Sequence, residues 1–90
     1  MKVSNITNSN GNKVPNQFLI TGDGDITFQS YKSTILKITG GQVYLDSYYW
    51  DYSKTTSKYR NQVLRETTKE TQAKINSGEY ILTELNYGDN

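Results

Sequence analysis

A pair of adjacent glycines, Gly40-Gly41, is the feature that most constrains the fold of this chain. Two glycines at the centre of a two-residue loop favour a type I′ turn, which joins antiparallel strands with the correct twist. The register of such a turn puts four apolar side chains on one face of the hairpin: Ile38 opposite Val43, and Leu36 opposite Leu45. Because the turn and the alternation of apolar residues agree, the sequence predicts a β-hairpin here.

Residues 22–24, Gly-Asp-Gly, predict a second hairpin earlier in the chain. A three-residue loop with glycine in the left-handed conformation would pair Ile20 with Ile26 and Phe18 with Phe28, again on one face. The fragment also resembles part of a calcium-binding loop, but the closing glutamate and the other oxygen ligands of such a loop are missing. We therefore interpret it as a turn.

Asn10-Gly11 predicts a third turn, which would pair residues 2–8 with residues 13–21. The first of these strands is polar, and Pro15 requires an edge position or a bulge. Together the three turns predict an antiparallel meander of four or five strands.

A helical pattern replaces the strand pattern after Trp50. Aromatic and apolar residues then recur at helical spacing, with Ser53 as the N-cap and the end of the helix near Glu66. Thr67 and Glu70 show the spacing of a capping box, which opens a second short helix. Gly78 is expected to end that helix in the left-handed conformation.

Residues 80–85 predict a closing C-terminal strand. Strands, then two helices, then one strand indicate a single α+β domain over residues 1–90, with the meander packed against two short helices. The helices are expected to cover a face with eight apolar side chains: Phe18, Ile20, Ile26, Phe28, Leu36, Ile38, Val43 and Leu45. Residues 1–12 and 86–90 are expected to be mobile.

The composition excludes several classes of protein. The 90-residue chain has no Cys and no His, so it lacks the commonest metal ligands and the commonest general base. We therefore predict no catalytic residue, no metal and no cofactor. A net charge of +1 excludes a strongly basic nucleic-acid coat. Because there is neither a membrane-length apolar run nor a signal peptide, we expect a soluble intracellular protein without membrane contact.

The segment from Tyr44 to Arg65 is the candidate recognition surface. It contains the only tryptophan of the chain and most of its 8 tyrosines, with basic residues among them. Aromatic side chains bury a large area at low entropic cost, and Lys and Arg add charge and donors. The predicted partner-binding residues are Tyr48, Tyr49, Trp50, Tyr52, Lys54, Lys58, Arg60 and Arg65. The alternative is that Trp50 and at least two tyrosines are core rings in a chain with few aliphatic residues.

Three basic residues, Lys54, Lys58 and Arg65, fall on one predicted helical face with Asn61 between them. They could contact phosphates or an acidic protein surface. The alternative is an ordinary solvated helix face. Three charges would give only weak, salt-sensitive binding to nucleic acid.

Several sequence blocks together carry a resemblance, and the most specific of them is Tyr49-Trp50-Asp51-Tyr52-Ser53. The others span nearly the whole chain: residues 10–14, 16–18, 28–31, 55–56, 58–62, 70–71, 74–75 and 77–83. With these blocks the chain resembles a family of short, uncharacterised bacteriophage proteins, a domain of unknown function. The resemblance implies no catalytic residue, cofactor or substrate. It implies a small phage product made in the cytoplasm of the infected bacterial host.

We therefore predict a small, non-enzymatic phage protein that binds and modulates or inhibits a host bacterial protein, with defence nucleases among the candidate targets. The alternative is a single-stranded nucleic-acid binder whose tyrosines stack on bases. A carboxylate-based enzyme using Asp46 and Asp51, or a virion component, is the least favoured hypothesis. Exposed strand edges at residues 2–8 or 80–85 are compatible with a homodimer formed by sheet extension.

Overall fold

A computed structural model describes residues 1–86 as one six-stranded sheet with two helices. The strands are β1 Lys2–Thr7, β2 Lys13–Gly22, β3 Asp25–Ser30, β4 Ser33–Thr39, β5 Gln42–Asp46 and β6 Ile81–Thr83. The helices are α1 Lys54–Leu64 and α2 Thr68–Ser77. Strands β1 to β5 form an antiparallel meander, and β6 closes the sheet parallel to β5. The predicted α+β fold is confirmed.

The hairpin at Gly40-Gly41 has the predicted turn and register. Both glycines have left-handed φ angles, 58° and 79°, which only residues without a side chain adopt at low cost. Leu36 pairs with Leu45, and Ile38 pairs with Val43. The turn chemistry and the apolar alternation therefore predicted this part of the sheet correctly.

The β2–β3 hairpin differs from its prediction by one residue. Asp23 and Gly24 both have positive φ, 49° and 85°, and form a two-residue loop instead of a three-residue loop. The pairs are Leu19 with Phe28 and Thr21 with Ile26. The prediction was wrong because aspartate also tolerates the left-handed conformation, so Asp-Gly suffices for a type I′ turn.

This shift of one residue reverses the two faces of β2. We call the face toward the helices the helix face and the opposite one the outer face. Leu19, opposite the fully buried Phe28, lies on the helix face and packs against the core. Phe18 and Ile20, which were predicted on the covered face, therefore lie on the outer face. There they are only partly buried.

The β1–β2 hairpin forms at Asn10-Gly11 as predicted, and its irregularity lies where Pro15 required one. Asn5 pairs with Phe18, but Thr7 pairs with Lys13, so four β2 residues, 14–17, are passed over between these pairs. Lys2–Thr7 is one of the two edge strands of the sheet. Whether residues 1–12 are mobile stays a prediction, and residues 87–90 lie outside the described residues.

The core lies between the helix face and the two helices. Its buried hydrophobic residues are Ile6, Phe28, Ile35, Leu36, Leu45, Tyr59 and Tyr80. Ile35 and Leu36 are neighbours, yet both are fully buried, because a register shift between β3 and β4 turns both inward. Two tyrosines therefore contribute to the core of this small domain, and of these only Tyr59 belongs to the aromatic segment from Tyr44 to Arg65.

The predicted helix boundaries hold at all three caps. Ser53 accepts a hydrogen bond from the Thr56 N–H at 3.1 Å. Thr67 and Glu70 form the reciprocal capping box, and Gly78 ends α2 with φ 85°. Within residues 1–86, neither helix has the length and apolar content needed to cross a membrane.

Candidate functional site

Asp46, the last residue of β5, starts the loop that carries the aromatic segment. We call residues 47–53 the aromatic loop. The Asp46 carboxylate accepts hydrogen bonds from the backbone N–H groups of Tyr48 and Tyr49, at 3.1 and 2.8 Å. Its other oxygen accepts the N–H of Leu85 at 2.8 Å, which ties the loop to the segment after β6.

The environment of Asp46 favours the ionised carboxylate. The residue is only 3% exposed, and burial alone would raise its pKa. The hydrogen bonds from Leu85, Tyr49 and Tyr48 outweigh that effect and hold the pKa of Asp46 below its ordinary value. An ionised carboxylate with these backbone partners is suited to fixing a turn, so Asp46 acts here as a structural anchor of the aromatic loop.

Three tyrosines of the aromatic loop form a continuous surface. Tyr48 is 74% exposed and Tyr52 is 46% exposed, with the half-buried Tyr49 between them. The ring of Tyr49 meets that of Tyr48 edge-to-face at 4.6 Å and that of Tyr52 edge-to-face at 5.2 Å between centroids. We call these three residues the aromatic patch. Such pairs hold one another in place, so the patch is preorganised.

Trp50 belongs to the core side of the aromatic loop. It is partly buried and packs against the hydrophobic core. The guanidinium carbon of Arg60 lies 5.0 Å from its ring centroid, in a cation–π arrangement. Of the four aromatic residues predicted to bind a partner, the structure brings Tyr48, Tyr49 and Tyr52 together at the surface and uses Trp50 to hold the loop.

Arg60 was predicted as a charged rim residue, but its side chain is completely buried. Its Nη1 donates to the Trp50 carbonyl at 2.5 Å and to Asp51 at 3.0 Å. Its Nη2 donates to Asn61 and to Thr68, each at 2.8 Å. Arg60 therefore connects the aromatic loop to α1 and to the start of α2, and it cannot contact a partner directly.

A sequence signal for the burial of Arg60 exists in its helical phase. Arg60 follows the buried Thr56 by four residues, which places both on the inner side of α1. Thr56 itself is buried against Ser30 of β3, with 3.0 Å between the two hydroxyl oxygens. Because the residues that flank position 60 include several polar ones, the sequence pattern did not predict that Arg60 is buried.

The predicted basic face of α1 is not continuous. Lys54 and Lys58 are exposed near the aromatic loop. Asn61 turns toward α2, where its amide donates to Thr68 at 3.2 Å. Arg65 lies beyond the other end of the helix, in the left-handed conformation with φ 58°. An 11-residue helix is roughly 16 Å long, so Arg65 is remote from the aromatic patch.

The sequence reasoning missed a second polar cluster, centred on Glu66. The Glu66 side chain is 4% exposed and forms a salt bridge with Lys74 at 2.7 Å. It also accepts hydrogen bonds from the Tyr80 hydroxyl at 3.0 Å and the Thr71 hydroxyl at 2.6 Å. These contacts hold α2 to the residue that precedes β6. The three partners follow Glu66 by five to fourteen residues with no single periodicity, so no local sequence pattern predicts these contacts.

The ionisable groups of the Glu66 cluster shift one another's pKa values. Burial would raise the pKa of Glu66, but the hydrogen bonds from Lys74, Thr71 and Tyr80 lower it below the ordinary value. The hydrogen bond to Glu66 raises the pKa of Lys74. Burial and the Glu66 charge raise the pKa of Tyr80. The cluster therefore carries an ionised Glu66 and Lys74 and a protonated Tyr80 at neutral pH.

The fold and the site define a small α+β domain with an exposed aromatic surface and, within residues 1–86, no cluster of side chains arranged to hold a metal ion. The chain belongs to DUF8033, a family of unknown function whose profile matches residues 1–80. That match includes the aromatic loop and both helices. No curated protein and no solved structure matches the chain.

Proposed function

We propose that this protein is a non-enzymatic binding protein that recognises another protein through the aromatic patch. The observation that carries this proposal is the exposure of Tyr48 and Tyr52 beside a half-buried Tyr49. Tyrosines are enriched among the residues that contribute most to protein–protein affinity, because they bury much area and lose few rotamers. The loop that presents them is fixed from beneath by Asp46 and Arg60, so little ordering is needed on binding.

The arrangement of the rings favours a protein over a nucleic acid as the partner. Base stacking requires a free ring face. In each of the two edge-to-face pairs, the edge of one ring is directed at the face of the other, so part of that face is occupied. Of the predicted basic residues, Lys54 and Lys58 are exposed beside the aromatic loop. Arg60 is buried, and Arg65 lies at the other end of α1. Single-stranded nucleic acid is therefore the second candidate ligand.

The biological setting of this proposal comes from the resemblance to short phage proteins carried by the Tyr-Trp-Asp-Tyr-Ser block at residues 49–53. It supports a host bacterial protein as the partner, met in the cytoplasm of the infected cell. Inhibition or modulation of that protein, with defence nucleases among the targets, is the corresponding role.

The test is capture of a bacterial partner by three immobilised proteins. The wild type and Tyr31→Ala should retain the same partner, and the double variant Tyr48→Ala/Tyr52→Ala should lose it. Tyr31 is a matched control because it is 54% exposed and makes no ring pair with the patch. Circular dichroism should show that all three proteins fold alike.

Two results would contradict the proposal. Equal capture by the double variant would remove the aromatic patch from the interface. Tight binding of a single-stranded oligonucleotide, weakened by salt and by the double substitution, would favour the nucleic-acid alternative instead.

A further inference from the structure

The sheet is open at both ends. Within residues 1–86, no strand pairs with the outer edge of β1 or of β6. Both edge strands expose large apolar side chains: Val3 is 60% exposed, and Ile81 and Leu82 are each 40% exposed. Unpaired strand edges with exposed apolar residues are sites where a further strand can be added.

Rows of directly paired residues cross all six strands, and each row begins on β1 and ends on β6. One row on the outer face runs through directly paired residues from Val3 to Ile81: Val3, Ile20, Thr27, Lys37, Tyr44 and Ile81. The next row, on the helix face, runs from Ser4 to Leu82: Ser4, Leu19, Phe28, Leu36, Leu45 and Leu82. A second copy that continues these rows would place Ile81 beside Val3, and Leu82 beside Ser4.

The strand directions also agree. Strands β1 to β5 alternate in direction, so β1 and β5 point the same way, and β6 is parallel to β5. β6 of one copy can therefore pair with β1 of the next in the parallel sense. In that pairing both copies keep their helices on the same face of the continued sheet.

The helix face beside β1 has space for an added side chain. A groove of about 290 Å³ lies between β1, β2, β3 and the C-terminal end of α1. Four of the residues that line it are apolar: Ile6, Leu19, Ile26 and Val63. Ser4 pairs with Leu19, which lines the groove, so Ser4 lies beside the groove on β1. A Leu82 side chain added on this face would enter apolar surroundings.

Charge complementarity favours the same pairing. Arg65 lines the groove beside β1, and the exposed Lys2 lies on β1 itself. On the other edge, Glu79 and Glu84 flank β6 and are exposed. Within residues 1–86, none of these four side chains forms a salt bridge. Glu84 follows the C-terminal end of β6, and Arg65 lies beside the C-terminal end of β1, so parallel pairing would bring both to the same end of the contact.

We propose that copies of this chain associate head-to-tail, with the β6 edge of one copy pairing with the β1 edge of the next. The contact is heterologous, so it produces a growing row of copies instead of a closed two-fold dimer. It uses neither Tyr48 nor Tyr52, so it is independent of the proposed partner-binding function.

Sedimentation velocity over a wide range of protein concentration tests this proposal, using Val3→Lys to block the β1 edge and Leu82→Lys to block the β6 edge. The average mass of the wild type should rise beyond that of a dimer. Each variant alone should stay monomeric, because it has only one usable edge. A mixture of the two should form a dimer and nothing larger, because one intact edge of each kind remains.

Charge reversal gives a second measurement with a smaller perturbation of the fold. Arg65→Glu and Glu84→Arg should each weaken association about two- to five-fold, as expected for an exposed ion pair. The double variant should recover the wild-type association. Tyr48→Ala should leave it unchanged.

Three outcomes would overturn the proposal: a wild type that is monomeric at every concentration, an assembly that stops at the dimer, or a Leu82→Lys variant that self-associates as well as the wild type. The third result would indicate pairing of β1 with β1, which needs only one kind of edge.

Discussion

The two ion pairs within residues 1–86, Arg60–Asp51 and Glu66–Lys74, are built in opposite senses. In the first pair the cation is buried, with side-chain exposures of 0% for Arg60 and 39% for Asp51. In the second the anion is buried, with exposures of 4% for Glu66 and 37% for Lys74. In each pair the buried member makes several further hydrogen bonds, and it is this member that connects separate elements of the fold.

The two pairs should differ in how their contribution to stability depends on pH. The guanidinium of Arg60 is completely buried, so its N–H donors need acceptors inside the protein. Three of these acceptors, the Trp50 carbonyl and the side chains of Asn61 and Thr68, are neutral groups, and Asp51 supplies a carboxylate. Because most of the acceptors are neutral, the support of the aromatic loop from Arg60 should depend only weakly on pH.

Glu66, in contrast, can be neutralised by a proton. Its pKa in the folded chain is held below the ordinary value of 4.5 by Lys74, Thr71 and Tyr80. A lowered pKa stabilises the fold above the pKa of the unfolded chain. That stability is lost as the pH falls from about 4.5 through the folded-state pKa. The attachment of α2 to the chain before β6 should therefore weaken in acid.

The largest expected effect comes from Arg60→Ala. It removes a buried side chain and leaves the Trp50 carbonyl and the Thr68 hydroxyl without this donor. We expect a loss of about 3 kcal/mol in the free energy of unfolding, typical of a disrupted buried polar network. Chemical denaturation measures the loss. The emission of Trp50 in the folded variant should shift to the red because its covering guanidinium is gone.

Asp51→Asn is the matched control for that change, because it removes the exposed member of the same pair. Water can replace a partner that is 39% exposed, so the loss should be at most about 1 kcal/mol. Equal losses for the two variants would show that the ion pair itself, and not the network of Arg60, stabilises the aromatic loop.

The second largest effect is expected for Glu66→Gln. The amide cannot accept the same charge-assisted hydrogen bonds from Lys74 and Tyr80, so we expect a loss of about 2 kcal/mol at neutral pH. The variant should also lose less stability than the wild type between neutral and acid pH. Denaturation curves measured across the acid range test both parts of the prediction.

Glu79→Gln is the control for Glu66→Gln, since Glu79 is exposed and should change stability by less than about 0.5 kcal/mol. Some acid sensitivity should remain in Glu66→Gln, because Asp46 also has a lowered pKa. If the acid loss of the variant matched that of the wild type in full, Asp46 and not Glu66 would control the pH response.

The parts of the fold that the sequence predicted are those governed by neighbouring residues. The Gly40-Gly41 hairpin, the capping box at Thr67 and Glu70, and the stop at Gly78 each depend on contacts within a few residues. The one-residue error at Asp23-Gly24 shows the limit of this approach. Two loop lengths were compatible with the glycines, and each gave an apolar face.

The candidate site was only partly predictable for a different reason. Exposure of Tyr48 and Tyr52 follows from the density of rings, since a loop cannot bury them all. The burial of Arg60 and of Glu66 depends on contacts between α1, α2 and the neighbouring segments. The helical phase of Arg60 placed it on the inner side of α1, but its charge favoured a solvated face, so the phase alone did not decide its burial.

The smallest expected effect concerns Arg65, which differs from Arg60 in having an exposed side chain and a left-handed backbone. A residue with a Cβ is strained at φ 58°, whereas glycine adopts this conformation freely and is the usual residue at such a helix end. Arg65→Gly should therefore stabilise the fold by about 0.5–1 kcal/mol.

The control is Arg65→Ala, which keeps the Cβ and removes only the guanidinium, so it separates the backbone contribution from the side-chain contribution. In denaturation experiments on dilute protein, a gain for Gly with no change for Ala would show that Arg65, unlike Arg60, contributes nothing to the stability of the isolated fold. A loss in the alanine variant would instead show that the exposed guanidinium stabilises the domain, and the contrast between the two arginines would be one of degree.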